Sequence, residues 1–161
     1  MIPTEAFFDF TKVLLKRYEY DLDILQICGH NILPKMEDKA AEYIFTRLPF
    51  SVGWATWANR WKAFDVHMSD FPDFLKTKKA TSFLPDKAAC EYLLRKWQQT
   101  YDKDNNSWAY AWVFYGILTD KISILSTKKL ILNIGFDEEA THTTRYKEER
   151  STEEAAFDIK K

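Results

Sequence analysis

Apolar positions along this chain switch between two spacings, and the switches mark out its elements. Phe7, Phe8, Val13, Leu14, Leu15 and Tyr18 fall on one helical face behind Thr4, a residue suited to cap the free N–H groups of a first turn, so a helix is expected near 4–18. Ile24 to Cys28 is a short apolar run stopped by Gly29 and reads as a buried strand near 23–28. Alternation through Tyr43, Phe45 and Arg47 predicts a second strand near 42–47, after a polar loop over 30–41. Trp54, Trp57, Trp61 and Phe64 are spaced as one face of a helix expected over 51–64 behind Ser51. Residues 65–85 are irregular, with a short helix around Phe71 to Phe74. Pro85-Asp86 opens a helix to 101 with Cys90, Leu93, Leu94, Trp97 and Tyr101 on one face, and Ser107 is placed to cap another over 107–118. Strands return over 121–134 around a Ser126 to Lys129 turn. Helices alternating with strands predict an α/β fold, a mixed sheet flanked by helices. From Asp137 charge dominates, so residues 1–143 are read as the folded domain and 144–161 as a charged, flexible tail.

Composition sharpens this at one point. The chain has 161 residues, enough for one domain with a real core, and its apolar and charged fractions are ordinary. Six tryptophans are not ordinary. They read either as a Trp-rich core or as rings facing a sugar-binding cleft, because the C–H faces of pyranoses stack on aromatic rings; both can hold for different residues. A net charge of −1 gives no electrostatic argument for a nucleic-acid partner. Cys28 and Cys90 lack metal or redox spacing and read as buried thiols of a reducing compartment. Neither a signal-peptide pattern nor an 18-residue apolar run is visible, which makes a cytoplasmic location the expectation.

Three blocks carry a family resemblance: Pro3 to Gly29; Pro49 to Asp65, with Val52-Gly53-Trp54-Ala55-Thr56-Trp57 at its centre; and Ser107 to Thr143, which holds Trp108-Ala109-Tyr110-Ala111-Trp112, Asn133-Ile134-Gly135-Phe136 and Ala140-Thr141-His142-Thr143. In this order they resemble the back half of bacterial nucleotide-diphospho-sugar transferases with a GT-A-type fold. The resemblance implies transfer of a sugar from a nucleotide-sugar donor to a glycan acceptor, in bacterial surface polysaccharide synthesis, in the cytoplasm or at the membrane periphery, with a divalent cation (Mn or Mg) on the diphosphate. It implies substrate contacts from Gly53, Trp54, Trp57, Trp108, Tyr110, Gly135, Thr141 and Thr143, and a cation or diphosphate contact from His142. Gly53 also has a reading of its own, since a glycine before Trp54 lets backbone approach a ligand closely.

Two departures bear on activity. In the family an Asp-rich metal motif precedes the segment matching Ile2-Pro3, where this chain has Met1, so the donor half is expected upstream, as a missing portion or a separate polypeptide. Related transferases also hold an acidic residue between the tryptophans matching Trp108 and Trp112, where Ala109 and Ala111 stand here. Alanine accepts no proton, which leaves Asp137, Glu138 or Glu139 as candidate catalytic carboxylates if their loop folds over the cleft, Asp137 and Glu138 first, against the alternative of a solvated acidic turn. Three readings follow: the acceptor-side portion of a glycosyltransferase, inactive alone; a non-catalytic carbohydrate-binding or interaction domain on the same scaffold; or a relic that folds poorly.

Overall fold

A computed structural model describes residues 1–31 and 41–132. Its elements in chain order are β1 (Ile2–Pro3), α1 (Glu5–Arg17), β2 (Ile24–Cys28), β3 (Tyr43–Thr46), β4 (Trp54–Ala55), α2 (Ala58–Ala63), α3 (Phe71–Phe74), a 3-10 turn at Lys78–Thr81, α4 (Lys87–Tyr101), α5 (Trp108–Leu118), β5 (Ile122–Ser126) and β6 (Ile131–Leu132). The fold is α/β. Four strands form a mixed sheet in the order β3-β5-β2-β4, with β2 and β5 parallel and the other pairs antiparallel, while β1 and β6 make a separate antiparallel ribbon. Among the described residues no helix is long and apolar enough to cross a membrane.

Helix α1 starts where expected because Thr4 Oγ1 accepts from the Phe7 N–H and also donates to the Leu130 carbonyl, tying the helix start to the approach of β6. Its stripe of Phe7, Phe10 and Leu14 packs on Ile24, Ile27, Ile124, Leu130 and Ile131 to form one core. Helix α5 covers the other face. Gly116 permits that approach, since a Cβ there would lie 3.0 Å from Leu25 and 2.7 Å from Pro49. Strand β2 does not alternate strictly: the register slips between Ile24 and Gln26, so Leu25 and Gln26 both meet α5 while Ile24 and Ile27 face α1. A second core lies between α5 and α4, where Trp97 packs on Phe74, Phe83 and Phe114. Helix α5 is apolar all round because it belongs to both interfaces.

The chain between Ser51 and Phe64 differs from expectation. It is not one helix: Trp54-Ala55 pairs with Ile27 and Cys28 as β4, and only Ala58–Ala63 is helical. Gly53 breaks the path with φ +55°, and its carbonyl accepts from the Gly29 N–H at 2.8 Å, holding the turn against the end of β2. Ser107 does occupy the position before α5, but its side chain makes no capping bond; instead its N–H donates to Asn105 Oδ1.

Both cysteines are free and buried. Cys28 Sγ donates to the Val52 carbonyl at 3.3 Å, and burial pushes its thiol up to about 11. Cys90 Sγ donates to the Leu84 carbonyl. Both are therefore expected to resist an aromatic disulfide reagent in the native protein at mildly alkaline pH and to react fully in denaturant. Rapid native labelling of either would contradict the burial described here.

Candidate functional site

Three elements and the residue after α2 bring aromatic side chains together at the carboxyl end of β2. Strand β4 carries Trp54, α2 carries Trp61, Phe64 follows α2, and α5 supplies Trp108 and Trp112. Trp112 is fully buried and forms the floor, with ring centroids 5.3 Å from Trp54, 5.3 Å from Trp61 and 5.1 Å from Phe64. Gln26 fixes that floor. Its Oε1 accepts from Trp112 Nε1 at 2.5 Å and its Nε2 donates to the Phe50 carbonyl at 2.8 Å, so one buried amide joins the central sheet, α5 and the segment leading to β4.

The outer rings form a triangle, with centroids 5.9 Å apart for Trp54–Trp61, 5.7 Å for Trp54–Trp108 and 5.9 Å for Trp61–Trp108. These are contact distances for aromatic pairs, so nothing fits between the rings. They make a platform on which a ligand lies. Trp61 and Trp108 keep 44% and 41% of their surface exposed, so the platform opens to solvent. A cavity of about 470 Å³ sits over it, lined by Trp54, Trp61, Phe64, Val66 and Trp108.

A second cavity of about 450 Å³ adjoins the first and shares Val66 and Trp108 with it. Its other walls are polar and include His67, Thr100, Asn105, Asn106 and Ser107. Asp65, outside the lining, shapes the turn that brings His67 to one wall: its carboxylate accepts from the His67 and Ser69 N–H groups, and these bonds, that of Ser69 first, hold its pKa below the ordinary carboxylate range. The opposite wall is tethered to the end of α4, where the N–H groups of Asp104 and Asn105 donate to the Gln99 carbonyl. Among the described residues no carboxylate lines either cavity. Among the described residues no group of three or more His, Cys, Asp or Glu is placed to hold a metal ion.

Of the residues expected to bind substrate, Trp54 and Trp108 are brought together, and three others are not at the cavities. Trp57 turns to the opposite core, where its Nε1 donates to the Leu15 carbonyl and its ring lies under the Arg60 guanidinium. Tyr110 faces α4, its hydroxyl 3.2 Å from that of Tyr92, and burial raises its pKa to about 12. Gly53 meets protein rather than open space: a Cβ there would lie 2.2 Å from Ile131 Cγ1, so this glycine lets β6 pack against the turn. Gly135, Asp137, Glu138, Glu139, Thr141, His142 and Thr143 lie outside the described residues. The residues not anticipated are Trp61 and Phe64 as lining groups, and the polar wall of His67, Asn105 and Asn106. The Asp102 to Asn106 run has loop composition, but nothing local says that it faces Trp108.

Replacing Gln26 by Leu strands the Trp112 N–H and the Phe50 carbonyl in buried surroundings. At roughly 1–3 kcal/mol for each of the two unpaired groups, the expected loss is about 2–6 kcal/mol. Urea unfolding checks it, and a loss under about 0.5 kcal/mol would mean that the amide does not hold the platform. Compared with family models, curated proteins and solved structures, the chain matches none.

Proposed function

We propose that this chain is the acceptor-side part of a glycosyltransferase, holding a glycan on the tryptophan platform. The observation that carries this reading is the pairing of an exposed aromatic platform with a contiguous wall of amide and hydroxyl groups. A sugar ring has the same division, with apolar C–H faces and a polar rim, and binding sites of this kind combine an apolar bed with a few placed polar groups. The donor nucleotide sugar and its divalent cation are not accounted for by the described residues, which offer no metal-holding cluster. In this reading they are handled by other segments or by a second polypeptide, and the work is done at the cytoplasmic side of surface polysaccharide synthesis.

One observation favours the narrower reading of a carbohydrate-binding domain without catalysis. The resemblance implies a carboxylate between Trp108 and Trp112, where Ala109 and Ala111 stand in α5, and among the described residues neither cavity has one in its lining. An inverting transfer needs a base at the acceptor hydroxyl. Tryptophan fluorescence separates the readings, because Trp61 and Trp108 are exposed reporters. Glycans are expected to quench and blue-shift the emission, whereas nucleotide sugars with manganese are expected to do little to the chain alone. Tight, manganese-dependent nucleotide-sugar binding without any glycan response would overturn the acceptor-side assignment.

A further inference from the structure

Resting on that sugar-binding reading, we infer that the two cavities are consecutive subsites of one trough, so that the recognised unit is an uncharged glycan of at least two sugar residues. Val66 and Trp108 wall both cavities, so a ligand leaving the aromatic platform past Trp108 enters the polar one directly. Each cavity falls within the range of roughly 300–1,000 Å³ typical of small-ligand sites. Their linings differ in kind. The first holds five apolar side chains, four of them aromatic, and suits the face of one ring. The second presents amides, hydroxyls and an imidazole, and suits the hydroxyl or N-acyl rim of the next. A single sugar would leave one of these linings unused.

Charge argues for a neutral ligand. Among the described residues Lys103 is the one basic residue besides His67 in the polar lining, and it lies between Asp102 and Asp104 in the chain. His67 in turn sits against the Asp65 carboxylate, which accepts its backbone N–H. The lining thus carries one full positive charge, flanked in the chain by two carboxylates, so an acidic sugar gains little there, and screening by salt should change binding little.

Titration calorimetry with two ladders tests this: glucose, cellobiose and cellotriose, and N-acetylglucosamine with its β-1,4-linked dimer and trimer. In at least one ladder the dimer is expected to bind about tenfold tighter than the monomer, which is the effect of a second set of contacts worth one decade in Kd. The trimer should add little, and affinity should hold between low and high salt. Asn106→Ala should shrink the dimer's advantage to less than about threefold, whereas Trp108→Ala should weaken every member of the ladder. Equal binding of monomer and dimer, or a dimer advantage untouched in Asn106→Ala, would overturn the two-subsite inference and leave the sugar-binding reading standing. No binding by any member would overturn the sugar-binding reading itself.

Discussion

Replacing Arg60 by Met is expected to cost about 3 kcal/mol or more of folding stability, the largest effect of any single exposed-looking position in the sequence. Arg60 is 5% exposed, and its guanidinium closes the bend between α1 and β2. Nε donates to the Ile24 carbonyl at 3.4 Å, and Nη2 donates to those of Tyr18, Glu19 and Asp21 at 3.2, 2.9 and 2.9 Å. The group also lies 4.3 Å over the Trp57 ring. Burial pulls its pKa down, and Asp21 and then Glu19 act in the opposite direction. Methionine fills the volume but donates nothing, so several carbonyls lose a partner that water reaches poorly. Lysine keeps the charge without the planar fork and should recover only part of the loss. Urea midpoints at unchanged slope measure it, and a Met variant within about 0.5 kcal/mol of the parent would remove Arg60 from the account of this fold.

Nothing local marks Arg60 as buried. Between Trp57 and Trp61 it reads as the polar side of an amphipathic helix, and only the return of the chain from α1 into β2 covers it. The same limit explains which elements were legible. Helices α1 and α4 are long enough to show a helical period and β3 alternates, while β2, β5 and α5 are legible as continuous apolar runs between turn signals. Strands β1, β4 and β6 have two residues each, too few to show any period, and they exist because a partner strand is present.

The tryptophan stripe is the instructive case. Its spacing correctly gathered Trp54, Trp61 and Phe64, but for the wrong reason, since a two-residue strand and a short helix put them together rather than one continuous helix. That substitution decides the fate of Trp57, which a continuous helix would have kept on the shared face. At the junction before α2 it faces α1 instead. The polar wall was legible only as a loop, because its role comes from lying beside Trp108 in space.

Trp108→Ala is therefore expected to reduce glycan affinity by about tenfold or more while leaving the fold intact. Trp108 is the one tryptophan lining both cavities, and truncating a central aromatic anchor costs upward of roughly 1–2 kcal/mol of binding. Its ring is 41% exposed and touches Trp54 and Trp61 from outside, so the buried floor of Trp112 and Gln26 survives its removal. Trp57→Phe supplies the contrast. It loses the bond from Nε1 to the Leu15 carbonyl and should cost about 1 kcal/mol of stability, yet it lines neither cavity and should not change affinity. The family resemblance assigns both tryptophans to the substrate, whereas the structure puts Trp108 at the cavities and Trp57 in the core against α1. Equal losses of glycan affinity in the two variants, at unchanged circular dichroism, would restore Trp57 as a substrate contact and displace the platform.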